Sequence, residues 1–322
     1  MKIKEIFFLS IVAVMLSVPL SAYAQISYPA KKIVWLIPYK PGGGFDIFAR
    51  AITPYLEKYL RVRGGGIIIK NEPAASGEKA ISLLYHSAAD GYTIGSFAGG
   101  YLADHFLQKK EYDITKLTYI LRLDEMTRLI VTRKSGPKSW QEVVAASRVS
   151  PIKWGIGAFG RDIHIATIIA NEVLALPAKF IAYGGTAENI NALVRGDVQI
   201  STISEDSAKN LIDSGEMRVL LTFDKKSRYP GAVSIQDLGH PELINPTKGT
   251  RFLAGPPKLN SKIVDILVDA FLKATKDKEF IDWAKRSGFE PNLLYGKDLE
   301  SMLKELLNFY REKAPVIKAR LD

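Results

Sequence analysis

Three consecutive glycines, Gly42-Gly43-Gly44, stand between an apolar segment, Ile33 to Ile37, and a stretch with helical spacing that begins Phe45-Asp46. A strand, a glycine turn and a helix start in that order form an anion-binding corner. Glycine reaches positive φ and has no Cβ, so the successive N–H groups of Gly42, Gly43 and Gly44 can converge on one oxyanion at the positive end of the helix dipole. Each such contact contributes about 0.3–1 kcal/mol when exposed and about 2 kcal/mol when partly buried. One corner alone therefore binds weakly, and tight binding requires others.

Lys2 and Lys4, the apolar run Ile6 to Leu20 and the small-x-small site Ala22-Tyr23-Ala24 read as an export signal cleaved after Ala24. The run is shorter than the roughly 20 residues a membrane span needs. The chain has no cysteine, which excludes disulfides, thiolate catalysis, thiolate metal sites and lipid attachment through a cysteine. The net charge of +10 is spread along the chain without a sustained basic run, so nucleic acid is not an expected partner. The remaining length suits two lobes better than one core, and two lobes imply a cleft.

Strands and helices alternate: strand Ile33–Ile37, helix Asp46–Leu60, strand Gly66–Asn71, helix Gly77–Ser87, strand Tyr92–Phe97. This predicts an α/β fold with parallel strands. Ile47, Ala51, Tyr55 and Tyr59 recur every four residues and are expected to face the core, with Pro54 bending the helix. The middle of the chain repeats the theme twice. Strand Ile152–Trp154 leads through Gly155 to Gly160 into a helix over Asp162–Leu174. Strand Lys179–Ala182 leads through Tyr183-Gly184-Gly185-Thr186 into a helix ending near Arg195.

Gly155-Ile156-Gly157-Ala158-Phe159-Gly160 matches a dinucleotide fingerprint in form, but Phe180-Ile181-Ala182-Tyr183 stands where the ribose-binding acid belongs. No NAD site is expected, nor any other cofactor, and glycines that only make a tight turn are the competing reading. Gly42–Gly44 is no P-loop, because no Gly-Lys-Ser/Thr follows. Asp46 is read as a helix cap or an acid that organises a ligand. Catalytic patterns are lacking: there is no G-x-S-x-G, no H-E-x-x-H, and His86, His105, His164 and His240 have no metal spacing. His164 is the one histidine near a corner and is either an anion donor or a packing residue. Arg161 is the sharper candidate, since its planar fork can hold a carboxylate; the alternatives are a solvated arginine or a pair with Asp162.

Tyr28-Pro29-Ala30-Lys31-Lys32-Ile33, Pro41-Gly42-Gly43-Gly44-Phe45-Asp46 with Arg50, Asn71-Glu72-Pro73, Asp90-Gly91-Tyr92-Thr93, Gly160 with His164, Tyr183 with Gly185, Arg195-Gly196-Asp197 and Ser287-Gly288-Phe289-Glu290-Pro291 occur in that order. Together they make the chain resemble the Bug family of periplasmic solute receptors of tripartite tricarboxylate transporters, over nearly all of its length after the signal. The resemblance implies a two-lobed Venus-flytrap fold of type II, with lobe one formed by residues 25–124 and 252–322 and lobe two by 125–251. It implies a small carboxylate, a di- or tricarboxylate or an aromatic acid, held between lobes and delivered to a membrane permease in the periplasm by a monomeric, non-enzymatic receptor. The expected ligand contacts are Tyr39 and Gly42 to Asp46 in lobe one, and Ala158, Phe159, Gly160, Arg161, His164 and Tyr183 to Thr186 in lobe two. Arg161 and Gly44-Phe45 replace residues that are often small or hydroxylated in the family, which points to an apolar or aromatic body or a further carboxylate. Ala192 stands where an aspartate is expected. A module that reports the solute to a receptor kinase is the alternative function; an exported hydrolase ranks below both for want of a nucleophile and base.

Overall fold

The chain builds one structural unit twice. The structure is a computed structural model that describes residues 28–61 and 66–321; the expected signal and its cleavage after Ala24 lie outside this range. In the first unit β1 (Ile33–Ile37) leads to α1 (Gly44–Leu60), β2 (Ile67–Asn71), α2 (Glu78–Tyr85) and β3 (Thr93–Ala98). A 3-10 turn over Gly99–Ala103 and the short α3 (Asp104–Leu107) follow. β4 (Thr118–Met126) continues into β5 (Arg128–Arg133), with only Thr127 between them. The second unit comprises α4 (Trp140–Val149), β6 (Ile152–Ile156), α5 (Asp162–Leu174), β7 (Ala178–Ala182), α6 (Thr186–Arg195), β8 (Ile200–Ser204), α7 (Glu205–Asp213), β9 (Met217–Thr222) and β10 (Val233–Ser234). The chain returns through α8 (Ile244–Thr247) and β11 (Gly249–Gly255), then adds α9 (Ser261–Ala274), α10 (Lys278–Ser287), β12 (Pro291–Leu294) and α11 (Gly296–Leu321).

The strands form two six-stranded sheets, ordered β12-β4-β11-β3-β1-β2 and β10-β9-β5-β8-β6-β7. β1 runs parallel to β2 and β3 on either side, and β6 does the same with β7 and β8. The expected parallel order holds in these triplets and in the short β9/β10 pair. β11 is antiparallel to β3 and β4, and β5 is antiparallel to β8 and β9. Each is the strand delivered from the other unit, so it enters its sheet from the opposite end. The expected lobe limits, 124/125 and 251/252, fall inside β4 and β11.

Equivalent tryptophans tie the two triplets together. Trp35 of β1 donates its indole N–H to Ser96 Oγ of β3 at 2.7 Å, and Trp154 of β6 donates to Thr202 Oγ1 of β8 at 2.9 Å. All four residues are buried. A buried indole N–H needs such a partner, so the hydroxyls belong to the core rather than to a ligand.

The core face of α1 differs from expectation. Phe48, Ile52, Leu56 and Leu60 are buried, whereas Ile47 is 43% exposed and Tyr55 and Tyr59 are half-buried. Both stripes have four-residue spacing; the wholly apolar one takes the core and the tyrosines lie at its edge, where Tyr59 donates to Asp277 at 3.1 Å. Helix α11 is shared between units: Leu306, Tyr310 and Ile317 lie in one apolar core with Ile165 and Ile169 of α5 and with Tyr101 and Leu102 of the 3-10 turn.

Candidate functional site

All three glycine corners are closed by one device. In each, the N–H of a glycine just before the helix cap is taken by a side chain four residues later, in the first helical turn. Gly42 donates to Asp46 Oδ2 at 2.9 Å, Gly160 to His164 Nδ1 at 2.9 Å, and Gly184 to Glu188 Oε2 at 2.8 Å. This is a capping box displaced by one residue. It ties down the glycine, and the groups left for a ligand are those of the cap and the first helical residues, which have no intrahelical partner. At α1 the free donors are therefore Gly43, Gly44 and Phe45 rather than Gly42 to Gly44. Gly42 and Gly160 have φ of +81° and +68°, which only glycine adopts readily.

The acceptors differ in charge. Asp46 is buried, which alone would raise its pKa, but hydrogen bonds from Arg50 and Gly42 outweigh burial and lower it. Arg50 also donates to Asn71 Oδ1 at 3.1 Å, and Asn71 Nδ2 donates to the Tyr39 carbonyl at 3.0 Å, so Asp46 organises the whole turn. Glu188 faces Lys40 at 3.2 Å, a pair that joins the third corner to the first. His164 is buried, and burial pushes its pKa down to about 4. Because an N–H can only donate, Nδ1 carries no proton and the neutral ring has its hydrogen on Nε2. His164 thus serves its own corner as an acceptor.

The corners lie at the carboxyl ends of β1, β6 and β7. In each sheet the chain leaves the central strand toward one neighbour and returns to the other, which makes the β1/β3 and β6/β8 ends topological switch points where open α/β sheets hold ligands. The two switch points approach each other. Gly100 N–H, beyond β3, donates to Asp162 Oδ1 at the start of α5 at 3.2 Å. A Cβ on Gly100 would lie 2.6 Å from the Asp162 Cα. Asp162 is also paired with Arg128, the first residue of β5.

Buried charge lines the crossing. Arg251 of β11 is 2% exposed and binds Asp124 of β4 and, at 2.8 Å, Asp206 of α7. Its guanidinium lies 5.0 Å from the Phe45 ring, and a Cβ on Gly44 would approach Nη2 to 2.8 Å. Burial lowers the Arg128 pKa to about 10, and its Nε is buried with no hydrogen-bond partner among the described residues. Sequence reasoning missed Arg128, Arg251, Asp206 and the Gly99-Gly100 turn. The last was visible as a glycine pair after a strand; the buried ion pairs depend on strand crossing, which no local pattern reports.

Of the other expected contacts, Tyr39 packs on Phe45 at 4.5 Å and accepts from the Ala98 N–H at 3.3 Å. Phe159 is 54% exposed and lies 4.8 Å from the His164 ring. Ala158, Tyr183, Gly185 and Thr186 are half-buried at the second and third corners, Tyr183 donating its N–H to the Ile156 carbonyl at 3.3 Å. Arg161 is neither solvated nor paired with Asp162. Its Nη1 donates to Asp104 at 2.9 Å and its Nη2 to Glu78 at 2.6 Å, occupying the fork assigned to a carboxylate. In the glycine-rich segment, a Cβ on Gly155 would strike Asn189 of α6 and Ser201 of β8, so this glycine serves close packing of β6 against that helix and strand and not a pyrophosphate. Ala192 is buried in α6.

Comparison with known proteins agrees with this architecture. A UPF0065 protein of Bordetella pertussis is 27% identical over 305 residues, 92% of each chain. The structure of the periplasmic binding protein BugD superposes with a TM-score of 0.78 at 20% identity, covering 90% of this chain and 99% of that one. MatC of Rhodopseudomonas palustris with bound malate superposes with a TM-score of 0.74 at 21% identity, covering 92% and 100%. The fold is that of two-lobed periplasmic binding proteins. The family model of the tripartite tricarboxylate transporter receptors, TctC, matches residues 49–320, and the chain belongs to that family.

Proposed function

We propose that this chain is an extracytoplasmic receptor that holds a small carboxylate between its lobes and hands it to a membrane permease. The observation that carries the reading is the pair of opposed switch points, each with a helix N-terminus whose first N–H groups have no intrahelical partner: Gly43, Gly44 and Phe45 at α1, and Arg161 to Ile163 at α5, where Arg161 N–H makes only a 3.2 Å bond to the Ala158 carbonyl. Two dipole ends meeting on one carboxylate supply what neither supplies alone, since micromolar affinity requires about −8 kcal/mol. Residues 1–24 act as the export signal, and the receptor works in the periplasm.

The cations of the cleft are already paired: Arg161 with Glu78 and Asp104, Arg128 with Asp162, Arg251 with Asp124 and Asp206, and Lys40 with Glu188. The solute's charge is therefore met by backbone N–H groups, and the aromatic rings of Tyr39, Phe45 and Phe159 favour an apolar or aromatic body over an extra carboxylate. A thermal-shift screen against mono-, di- and tricarboxylates, aromatic acids and neutral sugars, followed by calorimetry, tests this. A carboxylate that raises Tm through binding the native state supports the reading. No response to any acid after refolding from denaturant, which removes co-purified solute, would overturn it.

A further inference from the structure

We propose that Arg161 is the closure latch of this receptor, a positioning residue that ties the lobes together through Glu78 and Asp104 and favours the closed form before any solute binds. The proposal rests on the two-lobed architecture and deepens the receptor reading. Arg161 caps α5, on the second sheet. Its guanidinium reaches into a cage on the first: Glu78 at the start of α2, Asp104 at the start of α3, and the face of Tyr101 at 4.8 Å. Lys110 Nζ donates to the same Glu78 oxygen at 2.7 Å, and Tyr101 is held by its hydroxyl on the Ser76 carbonyl at 2.8 Å. Arg161 and Asp104 side chains are 11% and 5% exposed, so the bridge is largely shielded from solvent.

Local structure gives no reason for an arginine there. A cation at a helix N-terminus opposes the dipole, and Arg161 makes no side-chain cap for α5. What holds it is the other lobe. Burial raises the pKa of Asp104 while the neighbouring Arg161 works to lower it; for Glu78, burial is outweighed by Lys110 and Arg161, which lower its pKa. Without the guanidinium the closed form would bury Asp104 beside Glu78 with only Lys110 to offset them, whereas an open form would hydrate both acids. Removing one member of such a shielded group penalises the form that buries it. A second contact acts in the same direction, because Leu102 and Ala103 beyond β3 share an apolar core with Ile165 and Ile169 of α5.

The absence of native cysteine allows a direct test by paired spin labels at Lys32→Cys and Val149→Cys, both exposed and placed on opposite lobes. In the solute-free protein the distance distribution should be narrow. Arg161→Ala should add a longer, separated population, with the closed-to-open ratio falling roughly tenfold or more. Glu78→Gln with Asp104→Asn should reproduce the shift in an otherwise intact chain, and Arg161→Lys should fall between. Unchanged distances in Arg161→Ala and in the double variant would overturn the latch. Lowered affinity for malate or benzoate in Arg161→Ala with unchanged distances would also overturn it and return Arg161 to the ligand. The solute-free measurements do not depend on any acid binding, so failure of the carboxylate reading would appear in the wild-type screen alone.

Discussion

His164 illustrates how one side chain's environment decides its role. Its ring is neutral in the fold with a pKa of about 4, whereas an exposed histidine takes its proton near 6.5. The unfolded chain thus binds more protons between these values. The stability associated with a neutral His164 is fully present above pH 6.5, declines as pH falls toward 4, and levels off below. The loss is on the order of 3 kcal/mol. His164→Asn keeps an acceptor for the Gly160 N–H and removes the titration, so urea denaturation at pH 7, 5.5 and 4 should show the difference between wild type and variant moving in the variant's favour as pH falls. Parallel stability curves would mean that His164 is not held neutral.

Among the elements, the corner device predicts what breaks a turn. Asp46→Ala leaves the Gly42 N–H and the Arg50 guanidinium without their shared partner and should cost about 1–3 kcal/mol in urea denaturation, with Asp46→Asn costing less because one acceptor remains. Equal losses would show that the Gly42 bond contributes nothing. Much of this was legible: each corner was visible as strand, glycine and helix. The rule of a glycine N–H closed by an acceptor four residues on was also written in Gly42/Asp46, Gly160/His164 and Gly184/Glu188, yet it emerges only when the three are compared. The same holds for Ile33-Val34-Trp35-Leu36-Ile37 and Ile152-Lys153-Trp154-Gly155-Ile156, whose shared Ile-x-Trp-x-Ile pattern marks the duplicated central strand. The stripe on α1 misled because two adjacent four-residue repeats compete, and only packing chooses between them. Helices α7 and α10 carry short polar-rich sequences whose few apolar anchors, Ala208 in one and Phe280 and Ala284 in the other, become a face only against the sheets. Several motifs that carried the family resemblance prove to be scaffolding: Tyr28 donates its hydroxyl to the Gly91 carbonyl at 2.6 Å, and Arg195 pairs with Asp197 across Gly196.

Across the molecule, the lobes meet through backbone as well as charge. Gly100 touches the start of α5 so closely that Gly100→Ala places a methyl 2.6 Å from the Asp162 Cα, a rigid point that side-chain motion cannot relieve. This variant should hold the lobes apart, increase the solution radius of gyration in X-ray scattering, and weaken solute binding by the fraction of closed form lost. An unchanged radius would mean that the contact yields without opening. The long-range pairs Arg251–Asp206 and Arg161–Asp104 join residues 45 and 57 positions apart, which is why the ion pairs between the lobes could not be read from the sequence while each corner could. Whether donors from both lobes meet on one carboxylate is decided by amide NMR of the receptor, titrated with the acid that stabilises it in the thermal screen. Signals of Gly43, Gly44 and Phe45 on one lobe and of Arg161, Asp162 and Ile163 on the other should shift together with a single dissociation constant. An acid that stabilises the protein while shifting the amides of one lobe only, or of neither, would rule out a carboxylate shared between the lobes.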